Sequence, residues 1–502
     1  MAWWPCANGR VATPQTGRGF TGIYTPQARS NPKLRCHGVQ RTESWTPSVN
    51  ALDTFIAVNR FGLGPAPGES DRVAPDPRGW VRNQTRPRAV PLNTNAPLRD
   101  AATIGASFHT ARMDGGEELM QTIRAAYRRD FIPALAARAQ HEITTERPFG
   151  ERMVRFWFNH FTVSTSKRFI GPMIPAYERE AIRPHVFGRF ADLLRAVTRH
   201  PVMLTYLDNH LSMGDGSRAG RFRTRRQGVD TTLNENHARE ILELHTLGVN
   251  GGYAQEDVME LARALTGWTH GGIRLGPDRR PVHGEFEFNA WFHEPGTRTV
   301  LGRRYPGAGV EQGEAILEDL ARRPETADFL ATKLVRHFVA DDPPAADVAA
   351  IAAVYRDTDG DLGAVSRALA DLPSVWAEPL PKVKNHKELV ISALRVTGDT
   401  RAQAGDVAEP LQELGQVPFS APSPAGWGDR AEDWLAPEAL MRRVEWLRKV
   451  AATLPSSLVP ANFLEDVLGP VANAPLRTWV ERAASPDAAL ALVLASPEFQ
   501  RR

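Results

Sequence analysis

Cysteine is nearly absent. The 502 residues contain two, Cys6 and Cys36, both near the N-terminus. A disulfide scaffold or a cysteine-based zinc site is therefore not expected. An excess of one charge sign is lacking too. The 61 Lys and Arg against 58 Asp and Glu leave a net charge of +3, too little to point to nucleic acid. No apolar run reaches the roughly 18 residues of a membrane-spanning helix. No basic segment leads into an apolar one, so no secretory signal is visible. HExxH, GxSxG and P-loop patterns are missing. Gly62-Leu63-Gly64 is not followed by the remaining Rossmann glycine. Asp357 to Asp361 resembles a piece of a calcium loop, but the later glutamate ligand is absent. A turn with Asp361 capping the next helix explains it better. Strand and helix patterns do not alternate, so a parallel sheet is not expected.

What is present reads as helix. At 42% hydrophobic and 24% charged, the chain has ample material for a core. Residues 1–46, poor in aliphatics and rich in Pro, Gly, Arg and Thr, read as disordered. A second reading of that segment is that Met1 is not the natural start. From residue 47 on, helical periodicity predicts one large helical domain, two-lobed with a cleft as a variant. Helices are expected over 116–144 and 148–161, and in a series from 310 to 495. Residues 211–232, with five arginines, read as a flexible loop and a candidate lid over an anionic substrate. Residues 416–436 read as a Pro-, Gly- and Trp-rich loop. The segments around Glu294-Pro295-Gly296 read as one small β-hairpin.

The stretch 233–268 is the densest in polar groups set among leucines. Projected at 100° per residue, Ala238, Ile241, Leu242 and His245 share one side of its first helix, with Leu244 and Leu247 on the other. Glu240 falls between, so it is expected to be largely buried, and a buried carboxylate needs a partner. His160 is the first choice, because its own helix turns it inward beside Trp157. Gly248 fits a left-handed helix end.

Four polar clusters are candidates for chemistry. In Phe156 to Phe161, Asn159 and His160 stand out; the plain alternative is a core histidine bonded to a carbonyl. In the central helix they are Asn236, His237, Glu240 and Glu243, with a buried ion pair as the alternative. His293-Glu294 is the third, where a lone histidine is usually a solvated turn residue. His337, the fourth, reads first as a cation at a helix C-terminus. Glu240 is assigned as general acid or base, with Glu243 beside it. His160 and His293 serve as its partners or as metal ligands. A divalent metal is a candidate cofactor. Asn159, Asn236 and His237, with the flat faces of Trp268, Trp291 and Trp427, are candidate substrate contacts.

Several motifs resemble one family. RFGLGP (60–65), FWFNHF (156–161), LNENHAREILELHTLG (233–248), ELARALTGW (260–268), FHEPGTRTVLG (292–302), FLATKLVRHFVADDPP (329–344) and ASPEFQ (495–500) are similar to the bacterial "domain of unknown function 1800" family. The resemblance covers about residues 50–502. It implies a helical domain, often exported and often encoded beside a sulfatase-like "domain of unknown function 1501" protein. No activity comes with it. The chain departs from the family in having Glu294 where Asp is usual and Ala254 where Thr is usual. The expected function is a hydrolase acting on an extracellular polymer such as a glycan. The alternative is a non-catalytic binding or assembly protein working with the sulfatase-like partner. No membrane span is expected and nucleic acid is not an expected partner.

The composition of residues 1–46 gives a first prediction. Deleting them should leave the melting temperature unchanged, and a drop of several degrees would refute the reading of that segment.

Overall fold

The computed structural model describes residues 49–86, 89–227, 233–271, 284–307, 309–399 and 403–502. The expectation for residues 1–46 lies outside them, as does the end of the arginine-rich segment. The described chain is mostly helical, with two two-stranded antiparallel ribbons. Among the described residues no helix is long and apolar enough to cross a membrane.

Helix punctuation explains most boundaries. Pro148 opens the helix Pro148–His160 and Asp361 caps Leu362–Asp371, its Oδ1 accepting from the Ala364 N–H at 2.7 Å. The helix expected over 116–144 is interrupted. Gly116–Ala126 and Ile132–Thr144 are joined by a π-helical turn, Tyr127–Phe131. Pro133, which has no N–H to give, sits in the first turn after it. The central helix changes in the same way, from Asn236–Glu240 to the π-helical Ile241–Thr246. Wider turns rotate less than 100° per residue, so the α projection fails past Glu240. Thr246, which projection at 100° per residue sets apart from the buried Ile241, is buried too and donates its hydroxyl to the Ile241 carbonyl at 2.7 Å. Gly248 ends the run at φ +81°, as expected.

Two expectations are corrected. Phe286–Phe288 and Arg298–Val300 are strands, but not each other's partners. The first pairs with Trp268–His270 and the second with Arg303–Tyr305. Leu301 (φ +49°) and Gly302 (φ +76°) make the two-residue turn of that second ribbon, which outcompetes a hairpin through Pro295. The segment 211–232 is not all loop, since Arg218–Gln227 is a helix. Its start is fixed by Ser217, whose Oγ accepts from the Gly220 N–H at 2.9 Å, and by Ala219, whose N–H donates to the Trp291 carbonyl at 2.9 Å.

Among the described residues two large apolar cores form, beside a small cluster of Met213, Ala219 and Phe292. The larger gathers residues from Ile56 to Phe419 around Trp157 and Phe161. The other is built by helices between Leu389 and Phe499, with Phe55, Leu63, Ala139 and Ile143. Ile132–Thr144 serves both, giving Leu135 to the first core and Ala139 and Ile143 to the second.

A chain of buried charges runs beside this shared helix. His141 Nε2 meets Glu151 Oε1 at 3.0 Å. Arg183 holds both Glu151 oxygens, at 2.7 and 2.8 Å, and reaches Glu178 Oε1 at 2.9 Å. Arg138 takes Glu178 Oε2 at 2.6 Å and faces Glu142 Oε1 at 3.7 Å. Arg155 and Lys387 close on the same Glu142 oxygen at 2.9 and 3.1 Å. Removing one member of such a chain leaves its partner's charge buried and unmatched.

Burial alone would raise the Glu151 pKa. Arg183 beside it, with hydrogen bonds from His141 and Arg183, instead holds it at about 2. A depressed carboxylate stabilises the fold above its unfolded pKa, and that stability is lost as pH falls through the folded one. Acid unfolding should therefore steepen between about pH 4.5 and 2. Glu151→Gln should cost on the order of 3 kcal/mol at neutral pH and flatten that limb. Denaturant melts of wild type and variant across pH check this, and an unchanged limb would remove the pair from the stability account.

Candidate functional site

The chain of charges ends in a cavity of about 340 Å³ between the two cores. The helices Ile132–Thr144, Pro148–His160, Pro324–Phe338, His386–Thr397 and Ala404–Leu414 wall it, and the loop 416–436 covers the remaining side. Phe156, Phe158, Leu411 and Phe419 give apolar surface, whereas Arg155, Lys333, His337, Lys387 and Asp429 bring charge.

His337 and Asp429 form a pair on this wall. The imidazole Nδ1 lies 2.8 Å from Asp429 Oδ2, and Nε2 has no partner in the protein. An ionised carboxylate accepts only, so the proton belongs on Nδ1 and the lone pair on Nε2. The ring packs against Phe156 and Phe338, with centroids 5.5 and 4.9 Å away. Burial lowers the His337 pKa, Asp429 opposes that, and Arg502 adds to the lowering, with the net shift downward. The expected C-terminal helix cation is thus a histidine favoured in its neutral form.

The loop carrying Asp429 is tied on both sides of that residue. Two residues before it, Asn159 donates Nδ2–H to the Trp427 carbonyl at 2.9 Å and accepts the Trp427 N–H on Oδ1 at 2.8 Å. Gly426 (φ +84°) allows the approach, since a Cβ there would stand 2.5 Å from the Asn159 carbonyl. Two residues after it, the Ala431 N–H donates to Asp341 Oδ2 at 2.8 Å. Buried Lys382 joins the Asp341 carboxylate to the Asp429 carbonyl.

Three separate sequence segments therefore build the site: 156–161, 329–344 and the loop around Asp429. The profile of one family, described as "Protein of unknown function (DUF1800)", matches residues 56–501. The chain belongs to the DUF1800 family. No curated protein and no solved structure matches it. Membership brings no chemistry with it, so the site of this DUF1800 protein is read from its geometry.

Of the residues singled out in the sequence, Asn159, His160, His337 and Trp427 line the cavity. His160 donates Nε2–H to the His245 carbonyl at 3.1 Å, and burial holds its pKa well below the usual value. The expected Glu240–His160 pair does not form. Glu240 is half-buried, its pKa raised by burial and by Glu243 and lowered in part by Arg239. Glu243 instead accepts from the Tyr253 hydroxyl at 3.2 Å. His293 uses both ring nitrogens structurally, Nδ1 towards the Thr266 carbonyl at 2.9 Å and Nε2 accepting from the Gly309 N–H at 3.1 Å. His237 is fully buried, with neither nitrogen partnered. Trp268 is buried in the larger core, Trp291 is half-buried against a small cluster around Phe292, and Asn236 is exposed. None of these lines the cavity. Among the described residues no three His, Cys, Asp or Glu are arranged to hold a metal ion.

Arg155, Lys333, Lys387 and Asp429 were not singled out in the sequence. The usable signal was spacing: Arg155 stands one helical turn from Asn159, and Lys333 one turn from His337. Burial lowers the Lys333 amine to about 8 and that of Lys387 to about 7.

Asn159→Ala removes both ties to Trp427. It should cost about 1–3 kcal/mol, because the backbone groups it leaves are part-buried, and should open the loop 416–436 to protease. Melting and limited proteolysis of the variant check this, and wild-type behaviour in both would mean that the loop is held by other contacts.

Proposed function

We propose that this cavity is the active site of a hydrolase in which His337 is the general base and Asp429 orients it. The observation that carries the reading is the His337–Asp429 pair at 2.8 Å, with His337 lining the cavity and its Nε2 buried without a partner. In the proposed step Nε2 takes a proton from water as the water oxygen bonds to the substrate's electrophilic atom. It returns that proton to the leaving oxygen as the old bond breaks. Asp429 keeps the ring in the productive tautomer and stabilises the imidazolium that forms. A cavity of about 340 Å³ suits a compact molecule or the end group of a polymer such as a glycan. Bacterial origin and export rest on the resemblance and belong to this proposal on that footing, whereas work with a sulfatase-like partner belongs to the non-catalytic binding or assembly reading.

One observation favours a second location. Glu240 is a half-buried carboxylate with a raised pKa beside Glu243, which suits a general acid. The experiment separates the two. Wild type, His337→Asn, Asp429→Asn and Glu240→Gln are compared on a panel of ester, sulfate-ester and glycoside substrates. His337→Asn should lower kcat by about 10²–10⁴-fold with the melting temperature kept, while Glu240→Gln should not change it. Because burial lowers the His337 pKa and the base must be neutral, activity should persist below pH 6.5 and fall only when the pH drops beneath that lowered pKa. Full activity in His337→Asn with loss in Glu240→Gln would move the active site to the central helix. A correctly folded wild type inert across the panel would favour the non-catalytic binding or assembly role.

A further inference from the structure

The charge chain does not balance at its cavity end. Its carboxylates are Glu151, Glu178 and Glu142; its permanent or amine cations are Arg183, Arg138, Arg155 and Lys387. Arg183 and Arg138 are shared between neighbouring carboxylates along the chain. Glu142 is left to hold Arg155 and Lys387 together, both on its Oε1. The surplus positive charge sits where the chain meets the cavity.

Arg155 shows the same deficit atom by atom. Its Nε is spent on Glu142, but Nη1 and Nη2 are both buried without a partner. A guanidinium edge with two parallel N–H groups matches the two oxygens of a carboxylate, sulfate or phosphate group. Buried donors of a charged group that find no acceptor are costly. Glu142 cannot supply the missing acceptors, since it lies on the Nε side and already meets three cations. Lys387, on the opposite helix, would add a point charge to a ligand held there.

The wall is mixed, with Arg152, Arg336, Glu388 and Asp429 also on it, and Phe156, Phe158, Leu411 and Phe419 give it a patch of rings and methyls. Lys333 brings another amine to the wall that carries His337.

We infer that Arg155 and Lys387 bind the anionic head of the substrate, a compact organic acid with a ring or aliphatic body. The two Nη groups hold two oxygens of the head, Lys387 neutralises it, and the body lies against the phenylalanines. This names a substrate class for the cavity and so rests on the cavity being the substrate site. Binding itself does not need His337 to act as a base.

The test measures equilibrium binding by calorimetry to the full chain. The probes are benzoate, phenyl sulfate and phenyl phosphate, with benzyl alcohol as the uncharged control. Wild type should bind at least one anion at a single site and ignore benzyl alcohol. Which anion binds most tightly identifies the head group. Arg155→Lys keeps a cation against Glu142 and so preserves the fold, but loses the two-pronged edge, and affinity should drop tenfold or more. Arg155→Gln should bind more weakly still. His337→Asn should bind as wild type does, so a failure of the hydrolase reading would leave this result standing. No binding of any anion by wild type, or equal affinity in Arg155→Lys, would overturn the assignment.

Discussion

Glu151, Glu178 and Glu142 are taken out of water together, and arginines placed between them pair with their carboxylates. Isolated, each buried carboxylate would carry a desolvation cost of several kcal/mol. Shared arginines answer that cost in series, because Arg183 and Arg138 each satisfy two acids. The geometry has little freedom. Glu178 and Arg183 come from a short π-helical and 3₁₀ segment, Glu151 and Arg155 from the aromatic-rich helix, and Arg138 and Glu142 from the helix that serves both cores. Shifting any one helix along its axis would strand a charge. The chain therefore fixes the relative positions of the helices that wall the cavity.

The same helix Pro148–His160 holds the loop on the far side. Glu151 and Arg155 work within the charge chain, while Asn159, one turn beyond Arg155, clasps the backbone of Trp427. Met153 and Trp157 face the larger core between them. One helix thus divides its faces between apolar packing, charge pairing and the positioning of a loop. Asp429 owes its place to that division and to Asp341, which holds the other end of the turn.

Low permittivity around the cavity acts on its bases and amines in one direction. Burial disfavours the charged form of His337, Lys333 and Lys387 alike. A histidine held neutral is available to take a proton. The wall therefore offers arginines, two lysines that burial pushes towards neutrality, and a base whose orientation is set by a carboxylate.

The sequence by itself determined the helical class, the caps and the faces that turn inward. Periodicity placed Trp157 in the core, Pro148 at a helix start, and Asp361 and Gly248 at helix ends, because those are local properties of a few consecutive residues. It also singled out Asn159, His160, His337 and Trp427, which line the cavity, though it read His337 as a helix-end cation. It misjudged Glu240, since projection at 100° does not hold through a π-helical run and says nothing about what a face will meet. It paired the wrong strands around Pro295, because the Leu301-Gly302 turn competes for the same strand. Only the tertiary structure decided the site. His337 and Asp429 are 92 positions apart, and Asn159 and Trp427 are 268 apart. No local spacing encodes such meetings. They follow from which helices share a core, and that is settled by packing and by the pairing of buried charges.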